Sequence, residues 1–129
     1  METMQLVDYT ANKPDFAVVI CAFSEKRWES LVAAIDSVMR QTYSANELIV
    51  VIDHNPSLLE RARRELSQVR IVENRIEPGA GSARNRGVSE THSRYIAFLD
   101  DDAIAEVDWL AILADGYASS DIMGVGGRL

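Results

Sequence analysis

The chain has 129 residues, 47% of them hydrophobic and 26% charged, the balance of one soluble globular domain or part of one. A formal charge of −7 argues against nucleic acid as a partner, because phosphate backbones are bound by a basic face. The single cysteine, Cys21, excludes an internal disulfide and cannot build a zinc site alone. It stands in an apolar run and reads as a small buried hydrophobe.

No apolar run approaches the ~20 residues that a membrane helix needs. The opening METMQLVDYTANKPD has neither the basic start nor the apolar stretch of a secretory signal. Residues 1–15 read as a short leader, and cytoplasmic residence is expected. FAVVICA (Phe16–Ala22) is continuous and rich in β-branched residues, so it predicts a strand buried on both faces. The period then changes. Trp28, Leu31, Val32, Ile35, Val38 and Met39 recur at three- and four-residue spacing, the stripe of a helix lying on a sheet.

ELIVVI (residues 47–52) predicts a second buried strand. Asn55 and Pro56 then supply a cap and a first-turn proline for a helix to about Leu66, with Leu59, Ala62 and Leu66 inward. VRIVE (69–73) is a shorter third strand. The loop around Pro78, Gly79 and Gly81 leads to a helix that Ser82 can cap, running to about Thr91. Residues 94–99 form a fourth strand, a helix follows over 108–117 with Trp109, Leu110 and Leu113 inward, and IMGVGG begins a fifth strand.

Strands alternating with helices imply right-handed crossovers and a mostly parallel α/β sheet with helices on both faces. In the doubly wound order 3-2-1-4, strands 1 and 4 are neighbours, and ligands bind at the carboxyl ends of the strands where the winding reverses. FSEKR (23–27) and Asp100–Asp101–Asp102 would flank that crevice. A sheet that stopped at GVGG would leave an edge uncovered, so the chain reads as the truncated N-terminal part of something longer, open to self-association through that edge.

Three adjacent carboxylates repel one another, so their juxtaposition needs a reason. One reading is a set of acids at a helix N-terminus. The other is a divalent site: Mg²⁺ or Mn²⁺ is held by one or two carboxylates, and substrate phosphates complete its shell. In an extended D-x-D, Asp100 and Asp102 face one site while Asp101 faces elsewhere. The same letters fit the haloacid-dehalogenase-like phosphatases, but there the motif follows the first strand, and too little chain remains here for the later motifs of that family. Asp53 ends strand 2 and reads either as a turn carboxylate or as an acceptor for a nucleobase. His54 reads as a loop residue. GAGSAR lacks the third glycine of a dinucleotide fingerprint. Arg84 and Arg86 could serve a nucleotide or form a solvated face.

VVICAFSEKRWESLVAAIDSVMRQTY, ELIVVIDHN, PGAGSARNRGV and YIAFLDDDAIAEVDWL, in this order and spacing, resemble the nucleotide-binding half of an inverting family 2 glycosyltransferase of the Rossmann-like GT-A fold. The resemblance covers residues 16–129. It implies transfer of a sugar from a nucleotide-diphosphate sugar, commonly a UDP-sugar, to a glycan or a lipid-linked acceptor. It places Ala22, Phe23 and Glu25 along the nucleotide pocket, Asp53 at the base, Arg84 beside the nucleotide, and Asp100 and Asp101 against the donor. Asp102, with Asp100, would hold Mg²⁺ or Mn²⁺. The family often has Thr-Tyr-Asn-Glu where this chain has Ala22-Phe23-Ser24-Glu25, and a second acid where His54 stands. The catalytic base is expected beyond Leu129, and the full-length enzyme at the inner face of a membrane. The alternative is a non-catalytic nucleotide-binding α/β module.

Overall fold

The computed structural model describes residues 14–117. Its elements run β1 (Phe16–Ala22), α1 (Trp28–Met39), β2 (Glu47–Asp53), α2 (Pro56–Glu65), β3 (Arg70–Asn74), α3 (Ala80–Ser89), β4 (Tyr95–Asp100) and α4 (Trp109–Tyr117), with a single 3₁₀ turn at Glu25–Arg27 before α1. The sheet order is β3-β2-β1-β4, and every pairing is parallel. The predicted leader, apart from Pro14 and Asp15, and the fifth strand at IMGVGG lie outside the described residues.

The continuous apolar runs follow from burial on both faces. Phe16, Val18, Ile20 and Ala22 of β1 point to one face, with Val50 and Ile52 of β2 and Ala97 and Leu99 of β4. Leu31 and Ile35 of α1, Leu58 and Ala62 of α2, and Leu110 and Leu113 of α4 cover them. The alternate residues Val19, Ile49, Val51 and Val72 form a smaller cluster on the opposite face, under Ala83 of α3. Helices therefore sit on both sides of the sheet, as the alternation of elements predicts. Among the described residues no helix is long and apolar enough to cross a membrane.

Local signals explain most boundaries. The Asn55 side chain accepts a hydrogen bond from the Leu58 amide at 3.0 Å, and Pro56 opens α2. Two expectations need correction. Val32 and Met39 are not on the buried stripe of α1 but 39% and 50% exposed. Val32 stands about 100° around the helix from Leu31, and Ala34 and Ser37 fill the inner face instead. In α3 the cap is Gly79, not Ser82. Gly79 adopts φ 122°, a conformation that residues with a Cβ resist, and the helix starts at Ala80. Ser82 is left inside the first turn, where its hydroxyl meets Asn74.

Candidate functional site

The winding reverses between β1 and β4, and a cavity of about 610 Å³ opens at the carboxyl ends of the strands there. Of the residues singled out from the sequence, Ala22, Phe23, Asp53, Arg84, Asp100, Asp101 and Asp102 all line it. Glu25 does not. Its carboxylate accepts a hydrogen bond from Ser57 Oγ at 2.5 Å, outside the lining.

Parallel pairing sets Cys21 beside Asp100, so the floor of the cavity is continuous across β1 and β4. Cys21 is half-buried rather than fully buried, and burial pushes its thiol up to about 11. It remains protonated at neutral pH and serves as apolar floor. Phe98, also on β4, is 40% exposed into the crevice, and the Arg84 guanidinium lies 5.5 Å from its ring centroid. Arg86 points away. Its Nε donates to the Glu73 carbonyl at 3.1 Å and its guanidinium pairs with Glu90, which makes it a structural residue.

The acidic turn departs from simple alternation. β4 ends at Asp100, and Asp101 and Asp102 occupy a turn, so the two-residue period of a strand no longer assigns their directions. Asp101 does not face away from the cavity. It is buried, only 4% exposed, and lines the cavity with its neighbours. Arg27 Nη1 donates to Asp101 Oδ1 at 3.0 Å and lies 3.7 Å from Asp102 Oδ2. The other oxygen, Asp101 Oδ2, is buried without a hydrogen-bond partner among the described residues.

Asp53 is held from three directions. Its Oδ1 accepts from Asn74 Nδ2 at 2.9 Å and lies 2.7 Å from His54 Nδ1, while Oδ2 accepts from the Gly79 amide at 2.9 Å. Asn74 is fully buried and also donates to the Glu77 carbonyl at 2.9 Å, which folds the loop before α3 back against β2. Neither Asn74 nor His54 stood out in the sequence as a site residue. The only signal was position: Asn74 ends β3 and His54 directly follows β2, at the carboxyl ends of the strands, where site residues gather.

Burial raises the Asp53 carboxyl, but the hydrogen bonds from Gly79, His54 and Asn74 outweigh it and leave it below its ordinary 3.8. His54 takes φ 51°, and its Nε2 lies 3.1 Å from the Ile76 carbonyl oxygen. Both ring nitrogens thus face acceptors, which favours the imidazolium. The Asp53 hydrogen bond accordingly raises His54 above its ordinary 6.5. The stabilising contribution of His54 is complete below 6.5 and is lost as pH rises through the raised value. That of Asp53 is complete above 3.8 and is lost as acid carries pH through the lowered value. The His54 ring should therefore titrate above 6.5 by NMR and fall back toward it in Asp53→Asn. An unchanged midpoint in that variant would show that the pair does not form.

The donor set suits a hard divalent cation. Asp100 and Asp102 offer carboxylate oxygens and Cys21 no thiolate. Among the described residues no three acidic, histidine or cysteine side chains converge as a cage. Two carboxylates completed by a diphosphate match the way Mg²⁺ or Mn²⁺ is usually held.

Comparison with known proteins identifies the family. The sequence profile of Glycosyl transferase family 2 matches residues 17–128. The glucosyl-dolichyl phosphate glucuronosyltransferase of Haloferax volcanii is 35% identical over 120 residues, which cover 88% of this chain and 37% of that protein. The UDP-Glc:alpha-D-GlcNAc-diphosphoundecaprenol beta-1,3-glucosyltransferase WfgD of Escherichia coli is 33% identical over 99 residues, 75% of this chain and 38% of that one. Among solved structures, the glucosyl-3-phosphoglycerate synthase of Mycobacterium tuberculosis, in complex with Mn²⁺, UDP and phosphoglyceric acid, superposes with a TM-score of 0.65. It is 24% identical, and the match covers 82% of this chain and 39% of that one. The chain thus spans well under half the length of these relatives, and it belongs to glycosyl transferase family 2.

Proposed function

We propose that this chain is the donor-binding part of a metal-dependent, inverting glycosyltransferase that uses a UDP-sugar. The observation that carries the reading is the single cavity wall that joins Asp53, at one end, to the acidic turn of Asp100 and Asp102 at the other. Asp53 is fixed by three donors and keeps an acceptor site on Oδ2 for the N–H of a uracil ring. Arg84 and Phe98 offer a cation and a ring face along the same wall. Asp100 and Asp102 would hold Mg²⁺ or Mn²⁺, which neutralises the charge that gathers on the diphosphate as it leaves. Phe23, 57% exposed at the mouth, excludes water from the donor once the site is filled.

The acceptor of the archaeal relative is, by its name, a dolichyl phosphate carrying glucose, and that of the E. coli relative a diphosphoundecaprenol. A lipid-linked or glycan acceptor is the corresponding proposal here. The test is a UDP titration with and without Mn²⁺. Binding should strengthen at least tenfold with the metal, and Asp102→Asn should remove that gain (a tenfold change is about 1.4 kcal/mol). A variant that binds as well as the unaltered chain would overturn the assignment.

A further inference from the structure

We propose that Arg27 is a positioning residue that sets the charge of the acidic turn, cancelling Asp101 so that Asp100 and Asp102 present the two negative charges one divalent cation neutralises. The inference rests on the donor-site reading above and explains why three carboxylates stand where two would do. Among the described residues Arg27 is the cation that touches this turn: its Nη1 is 3.0 Å from Asp101 and 3.7 Å from Asp102. The other cavity cation, Arg84, sits over Phe98, and His54 is taken up by Asp53. Asp101 is the buried member, 4% exposed, and its Oδ2 has no hydrogen-bond partner among the described residues. A buried carboxylate in that condition depends on its one charged neighbour. Asp102, by contrast, is 52% exposed and only loosely approached by Arg27. The guanidinium can therefore keep Asp101 while leaving Asp102 to a cation.

The same placement gives Arg27 a second effect. Its guanidinium lies 3.7 Å from Asp102, one of the two carboxylates left to the cation, so it opposes a cation that arrives without a diphosphate and favours one that arrives with it. Arg27 also lies 5.6 Å from the Phe23 ring centroid, which braces it against the mouth of the cavity.

The test is a charge cycle read by the free-Mn²⁺ EPR signal, with no turnover required. Arg27→Gln should bind Mn²⁺ about tenfold tighter without nucleotide, and Asp101→Asn about tenfold weaker, the size of one charge at close range through a largely solvated path. The double variant, which keeps a neutral hydrogen-bonding pair, should return to within about twofold of the unaltered chain. If Arg27→Gln does not fold, Asp101→Asn and the double variant still give the sign and the rescue. A purely structural pair would lower melting temperature without this pattern, and that result overturns the proposal. Loss of Mn²⁺ binding in Asp101→Asn that the double variant fails to restore would also overturn it, and would make Asp101 a direct ligand. An unaltered chain with no Mn²⁺-dependent UDP binding overturns both this inference and the function it rests on, whereas intact binding with the wrong signs overturns this inference alone.

Discussion

Gly87→Ala should destabilise the fold by roughly 1–2 kcal/mol, although alanine is the better helix former by about 1 kcal/mol. The clash decides the sign. A Cβ at Gly87 would fall 2.5 Å from Val19 Cγ1 and 3.0 Å from Val51 Cγ2. Both valines belong to the small cluster that α3 covers, and both are essentially unexposed. Neither is the free end of a flexible side chain, so the helix must lift or the sheet must give. Overpacking of this kind costs roughly 1–3 kcal/mol before any gain in helix propensity. Gly81 on the same helix is the internal control, because a Cβ there meets nothing within 4 Å. Alanine at Gly81 should stabilise by roughly 0.5–1 kcal/mol. Urea melts of the two variants should move in opposite directions. Equal shifts would mean that α3 does not seat on the sheet at Gly87.

Asn74→Ala should cost more, roughly 2–4 kcal/mol, because it empties a fully buried position and removes several hydrogen bonds at once. The amide of Asn74 donates to Asp53 Oδ1 and to the Glu77 carbonyl, and its Oδ1 accepts from the Ile76 amide at 3.3 Å. Removing it opens a polar hole at a fully buried position and frees the loop that carries Gly79. Because Asp53 loses one of its supports, UDP affinity should fall as well as stability. Asn74→Asp tests the electrostatic half: it keeps the size but sets a second carboxylate against Asp53, and should be worse than alanine for nucleotide binding. Melts with unaltered midpoints, or stability lost with UDP affinity intact, would separate Asn74 from the site.

The framework was readable because both of its signals are local. Continuous β-branched runs mark strands covered on two faces, and the three-four spacing of α1 marks the helix between them. The alternation of strands and helices points to the doubly wound order 3-2-1-4, and that order places the acidic turn and the loop after β1 across one crevice. The contacts that tune the site were not readable. Arg27 and Asp101 lie 74 residues apart, and no period links a residue of a 3₁₀ turn to one beyond a strand end. Alternation misplaced Asp101 because it was carried one residue past the point where β4 stops. Asn74 is polar at the end of a short strand, a position that usually faces water, and its full burial depends on the loop folded over it.

Asn55 shows how closely the helix scaffold and the loop after β1 are tied. Its Oδ1 caps α2 through the Leu58 amide, while its Nδ2 donates to the Phe23 carbonyl at 3.1 Å. Aspartate and serine cap helices about as well as asparagine, but neither carries an amide donor to reach that carbonyl in the same pose. Substitutions at this position can therefore keep thermal stability and still loosen the mouth of the cavity. Selection for folding alone would not see the difference. Selection for donor capture would.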